Sequence, residues 1–237
     1  MRCLLACALV AMALAAPAAH ASGEPDLTIR LPGGTSGTPS VFVDALEVPG
    51  RMLYRFDALI ENEGGTLDLY RGAGGGVSQA IYTGDGEPSV APRPDRAPSG
   101  DDVLLVDRSS AGSSFDYAYE TTHEHFHLSS AARYELRREG GAPLVSDKVG
   151  FCLFDSYGPA KWFGWMNIGG ATWCAFDDPE ASVVRMGLSR GGADRYSAQR
   201  EFQWVDITGV EPGPAVLRGQ AKPAALRTRV RRDQQHD

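Results

Sequence analysis

The sequence predicts an all-β fold, a β-sandwich-like single domain with long irregular loops. Three observations lead there. Val41-Phe42-Val43-Asp44-Ala45-Leu46-Glu47-Val48, Met52 to Ile60, Val103 to Val106 and Phe202 to Thr208 are rich in branched or aromatic side chains and do not repeat at helical spacing. Gly and Pro clusters bound most of these runs, 28 glycines and 15 prolines among 237 residues, as turns bound strands. Beyond the N-terminal leader, no segment carries a long apolar stripe at helical spacing.

Taken in order, residues 1–21 read as a secretory signal peptide. Arg2 supplies a positive start, Cys3 to Ala16 an apolar run, Pro17 a break, and Ala19-His20-Ala21 small residues at the cleavage positions. The run is too short to favour a membrane span, so the mature product is expected to be secreted and extracellular. Residues 22–222 form the predicted domain. Within it, Arg71 to Gly100 reads as a long surface loop. Tyr157 to Trp173 reads as a second irregular region, whose Trp162, Trp165 and Trp173 either wall a pocket or pack the loop down. Residues 223–237, rich in Ala, Arg and Gln, are predicted to be a disordered tail. Cys3 and Cys7 leave with the signal, and Cys152 and Cys174 remain as natural disulfide partners in an oxidising compartment. The net charge of −7 argues against nucleic acid as a partner. An acidic surface either draws cationic partners, amines included, or simply keeps the chain soluble.

Five histidines occur, one in the signal and one in the tail; the other three are His123, His125 and His127. In a strand, positions two apart share a face, so these three would line up on one side together with Tyr117 and Tyr119. Glu124, Phe126 and Leu128 would occupy the other. Neutral imidazoles suit Cu(II) and Zn(II) alike, and the spacing does not choose between them. Three protein ligands would leave positions open for water or substrate, as in catalytic metal sites. The outer two Cα atoms of a straight strand would lie about 13 Å apart, so the rings must lean inward or the strand must bend. The plain alternative is a polar surface strand.

With the histidines in place, the chain resembles the lysyl oxidase family from about residue 25 to 222. Arg51 to Phe56 with Glu61-Asn62-Glu63-Gly64 is similar to the family's early strand and its Asn-x-Gly turn. Tyr117-Ala118-Tyr119 stands where the family carries an aromatic pair, His123, His125 and His127 fall on its copper motif, and Tyr134-Glu135-Leu136 follows at its distance. Lys148-Val149-Gly150-Phe151-Cys152-Leu153-Phe154-Asp155 resembles the segment of the cofactor lysine. Asp194-Arg195-Tyr196, leading into Gln203 to Gly213, resembles the segment of the cofactor tyrosine. Gly192 and Phe202 stand where vertebrate members carry a cysteine pair, Glu120 where they carry another histidine, and the family's final acidic, Asn-rich strand is missing after Pro223.

The resemblance implies a secreted amine oxidase with Cu2+ on His123, His125 and His127, and a lysine tyrosylquinone made by cross-linking Lys148 to an oxidised Tyr196. Its partners would be dioxygen and a primary amine, lysine side chains of extracellular proteins included, with aldehyde, ammonia and hydrogen peroxide released. A carboxylate must remove the α-proton; Asp155 is the first candidate, because it follows the cofactor segment, and Asp147 and Asp194 are next. Composition points to Lys148 independently: only Lys148, Lys161 and Lys222 are lysines among 23 basic residues. Arginine serves the ordinary surface charge, and it could not act as a nucleophilic amine because it stays protonated. Two other readings stand beside the oxidase. One is a copper-binding extracellular module of the same fold without oxidase activity; the other is a zinc hydrolase using Glu124.

Overall fold

Short strands, most of them ended by a glycine or a charged turn, pair antiparallel throughout the computed structural model. It describes residues 24–31, 40–43, 47–109, 114–119, 124–129, 131–148, 150–159, 161–165 and 167–221. In chain order the strands are β1 Leu27–Arg30, β2 Ser40–Val43, β3 Met52–Arg55, β4 Ala58–Asn62, β5 Leu67–Arg71, β6 Val77–Tyr82, β7 Val103–Asp107, β8 Phe115–Ala118 and β9 His125–Ser129. There follow β10 Ala132–Arg138, β11 Leu144–Val145, β12 Gly150–Phe151, β13 Asn167–Ile168, β14 Ala171–Thr172, β15 Val184–Leu188, β16 Ala193–Tyr196, β17 Trp204–Asp206 and β18 Ala215–Ala221. The helical element bounded within the described residues is a 3-10 turn, Trp173–Ala175. The all-β class therefore holds.

The strands form six small open sheets: β1-β4-β16, β17-β3-β2, β15-β5-β6-β7, β12-β9-β8, β11-β10-β18 and the hairpin β13-β14. No sheet has an apolar face large enough to stand alone, so they share one core. Ile60 of β4, Leu69 of β5, Phe126 of β9, Tyr134 of β10, Phe151 of β12 and Val205 of β17 all belong to it. The Cys152–Cys174 disulfide forms as expected, with Cα atoms 5.8 Å apart, and ties the stretch after β12 to the 3-10 turn.

Several expectations change. The loop proposed for 71–100 contains β6, whose Val77, Ala80 and Tyr82 are buried between β5 and β7; the irregular part is 83–102. Its serine and glutamine had disguised the alternation. Met52 to Ile60 is two strands in different sheets, broken at Phe56-Asp57, where Asp57 accepts hydrogen bonds from Ala198 N and the Arg195 guanidinium. Residues 117–128 are not one strand either. β8 and β9 pair as Tyr117↔Phe126 and Ala118↔His125, which puts Tyr117 on the Phe126 side and not with the histidines. The reversal between them resets the alternation.

The Asn-x-Gly turn is a packing hub. Buried Asn62 accepts from Asp26 N and Gly64 N and donates to Gly65 O and Leu188 O. A Cβ on Gly64 would lie 2.4 Å from both Asp26 N and Glu24 O, so only glycine lets the N-terminal segment lie against the turn. The three tryptophans part company. Trp173 is buried against Phe163, Trp162 donates to Glu87, and Trp165 is 82% exposed. No helix of the described residues is long and apolar enough to cross a membrane. The signal at 1–21 and the tail at 223–237 lie outside the described residues, as does His123.

Candidate active site

Strand alternation builds one half of the site. On β16, Asp194 and Tyr196 sit two residues apart and so share a face, which is buried, while Arg195 between them points the other way to Asp57. The Tyr196 hydroxyl donates to Cys152 O at 2.9 Å, fixing the ring against the segment that follows β12. Phe151 meets the ring edge-on, with centroids 5.3 Å apart.

Lys148 arrives from the other direction. Ser146 N donates to Tyr134 O beside the β10–β11 pairing, and Lys148 N donates to Ser146 Oγ. The side chain turns inward, so Nζ lies 4.9 Å from the Tyr196 ring centroid and 5.1 Å from that of Phe151. Lys148 and Tyr196, 48 positions apart in sequence, are thus in contact in the core.

Burial governs the electrostatics. Desolvation lowers the Lys148 amine to about 8, although the Asp194 charge opposes it. Desolvation also raises Asp194 to about 7, against the pull of the Ser156 hydroxyl, Tyr196 and Lys148. Ser156 Oγ donates to Asp194 Oδ1 at 2.5 Å. The Tyr196 phenol is pushed well above its ordinary value by burial and then by the Asp194 charge.

Asp155 is buried too, but its carboxylate is committed elsewhere. It accepts from Ser189 N, Ser189 Oγ and Phe163 N, clamping the loop after β15. Asp147 is exposed. Of the three candidate carboxylates, Asp194 is the one that interacts with both Lys148 and Tyr196.

The histidines form the second half. His125 and His127 share a face of β9, their ring centroids 4.5 Å apart and their Nε2 atoms 3.0 Å apart. Two nitrogens at that separation, each with a bond of about 2.0 Å to one cation, would subtend roughly 97°, between the tetragonal and tetrahedral values. The pair therefore fits a shared Cu or Zn ion. Among the described residues no group of three ligating side chains assembles, and the third expected ligand, His123, is outside them. Phe176 stacks on His125 at 4.2 Å, and Trp165 lies 6.3 Å from Phe176, so one of the three tryptophans does wall this side. Glu124 precedes β9 and is exposed; its carbonyl accepts from Asp177 N.

β12 joins the two halves. It pairs with β9 as Gly150↔Ser129 and Phe151↔Leu128. Gly150 faces the histidines so closely that a Cβ there would lie 2.5 Å from His127 Nδ1. Phe151 faces the other way, onto Tyr196. Through neighbouring residues of one short strand, Gly150 thus meets the histidines and Phe151 meets the Lys148–Tyr196 pair.

The family model for lysyl oxidase matches residues 107–230, more than half of the chain and every candidate site residue. The chain belongs to the lysyl oxidase family. Curated relatives agree. Protein-lysine 6-oxidase of Rattus norvegicus is 27% identical over 118 residues, covering 47% of this chain and 25% of the relative. The Sus scrofa protein of the same name shows the same identity, with 41% of its length covered. Lysyl oxidase homolog 1 of Homo sapiens is 27% identical over 113 residues, covering 45% of this chain and 17% of its own. The matched region is thus between a sixth and two fifths of these relatives.

Residue reasoning did not single out two residues of this candidate site. Gly150 and Phe151 lie in a motif segment that carries the resemblance, but nothing in their residue types announces a role. Asp194 could have been preferred to Asp155 on one signal, its period-two spacing from Tyr196.

Proposed function

We propose that this chain is a secreted, copper-dependent amine oxidase in which Lys148 and Tyr196 become a lysine tyrosylquinone. The observation that carries the reading is the Lys148 Nζ resting 4.9 Å from the centre of the Tyr196 ring, both side chains buried. His125 and His127, with His123 as the expected third ligand, would hold copper, which would supply the redox chemistry for oxidation of Tyr196 by dioxygen, and the quinone would serve as the electron sink for a primary amine.

The chain's own residues do the rest. With its amine near 8, roughly a tenth of Lys148 is unprotonated at pH 7, against about one in three thousand for an ordinary lysine. The nucleophile is therefore available without a dedicated base. The hydrogen bond to Cys152 O holds the phenol end of Tyr196, leaving the ring face to the amine. Asp194, near 7 and in reach of both partners, is poised to take a proton at working pH and release it again, so the base role falls to it. Phe151 and the buried surroundings keep bulk water off the pair. A primary amine is the substrate class, and protein lysine side chains fit the name protein-lysine 6-oxidase carried by relatives.

The test is peptide mapping after copper loading in air. The proposal expects a single cross-linked Lys148–Tyr196 peptide and hydrogen peroxide release on adding a primary amine. Lys148→Arg should abolish both and leave copper bound. Full turnover by that variant would end the oxidase reading; separate peptides in copper-loaded wild type would favour a copper-binding module.

A further inference from the structure

The core side of the Lys148–Tyr196 pair contains polar atoms that the chain itself leaves unsatisfied. The Tyr134 hydroxyl, Gln203 Oε1 and Nε2, and Asp194 Oδ2 are all buried without a hydrogen-bond partner. Tyr134 and Gln203 are wholly buried and Asp194 is 2% exposed. They are neighbours: the Gln203 amide approaches the Tyr134 oxygen closely enough to favour its anion, without hydrogen-bond geometry, and Tyr134 feels the Asp194 charge. Native cores rarely leave one such atom unsatisfied, and these four belong to three buried side chains linked through Tyr134, the pattern of a polar site that takes a guest.

The donors and acceptors specify that guest. Tyr134 can donate, Gln203 Oε1 can only accept, and Asp194 Oδ2 accepts once the carboxyl is ionised, so beside the carboxylate the guest needs at least two protons and a lone pair in a very small volume. We propose that Tyr134, Gln203 and Asp194 bind one internal water beside Lys148 and Tyr196, and that Tyr134 and Gln203 are thereby positioning residues for Asp194. The water donates to Asp194 Oδ2 and Gln203 Oε1 and accepts from Tyr134, three bonds being the usual number for a buried water. Ser156 already holds Oδ1, so the water fixes the remaining oxygen and gives it a proton path. The site stands on the orphaned atoms; its part in proton traffic rests on the reading of Asp194 as the base.

The groups facing Asp194 are Lys148, Ser156, Tyr196 and Tyr134, with Arg200, Glu47 and Glu201 acting on Lys148 from further out. Having only three lysines makes the measurement clean, because ε-13C-lysine labelling gives three resonances. In the full-length, metal-free protein, water–protein NOEs to the Tyr134 ring should reveal a long-lived water. The Lys148 resonance should show a second inflection as Asp194 titrates.

Tyr134→Phe should remove the water signal and move that inflection by at least half a pH unit. Gln203→Leu should do the same, and the double variant should add little to either. A purely structural role for Tyr134 predicts an unmoved inflection and equal or greater stability, since an unpartnered hydroxyl has been removed; that result overturns the proposal. Absence of a long-lived water in wild type overturns it without any variant. A wild-type protein that shows the water but forms no cross-linked peptide supports this site and sinks the oxidase reading alone.

Discussion

Lys148 sits where an ammonium is poorly tolerated, and its proton balance should be visible in folding. The amine is lowered from 10.5 to about 8, so between those pH values the unfolded chain keeps a proton that the folded chain has released. Stability therefore rises with pH across that window, by at most about 3 kcal/mol, and the full cost of the buried charge is felt below it. Asp194 works in the opposite sense. Raised from 3.8 to about 7, it holds its proton more tightly when folded, so its contribution is full below about pH 4 and is lost as pH climbs to 7. Together they cut a trough in stability around pH 7 to 8. Denaturant unfolding of metal-free protein that has not cross-linked should show the rise above pH 8, and Lys148→Met should flatten it. A rise that persists in the variant would assign it to other groups.

At the scale of elements, the two-residue pairing of β12 with β9 links the strand of His125 and His127 to the segment beside Lys148 and Tyr196. Gly150→Ala would place a Cβ 2.5 Å from His127 Nδ1, and the ring must move. Copper affinity, read by chelator competition, should fall about ten- to a hundredfold, as for other losses of ligand support. An unchanged affinity would remove His127 from the ligand set. Elements were legible where short runs of branched and aromatic residues stood between turns, as in β7 and β17, and in the shared face of His125 and His127, while β3 and β4 merged into one run. β6 was hidden because Ser78 and Gln79 dilute its apolar side. The β8–β9 reversal was hidden because tyrosine and histidine alternate straight through it. The Lys148–Tyr196 contact was invisible to spacing and came through resemblance. The choice of Asp194 over Asp155 had one local signal, the period-two spacing from Tyr196; that Asp155 is occupied by Ser189 and Phe163 depends on the folded loops.

Across the molecule, the 83–102 loop is fastened at several points, the Thr66 N to Gly86 O hydrogen bond among them. Glu87 takes hydrogen bonds from Lys161 and Trp162, joining this loop to the aromatic one. Deeper, Arg185 of β15 pairs with Asp68 of β5 beside Tyr82 and donates to Arg93 O and Arg96 O. Removing one partner of a buried pair strands the other charge, typically at a cost of about 3–5 kcal/mol. Asp68→Asn should lower the unfolding midpoint accordingly and open the 83–102 loop to proteolysis. A variant with wild-type resistance and midpoint would show that the loop is fastened elsewhere.

The Cys152–Cys174 bridge lies wholly inside the interval from Lys148 to Tyr196. A covalent bond between those two residues would therefore enclose one ring of chain within a larger one. The inner closure restricts 22 positions and the outer 48, and each would curb the freedom of the denatured polymer. Maturation would then leave a permanent mechanical record, a chain that reductant alone can no longer fully unravel.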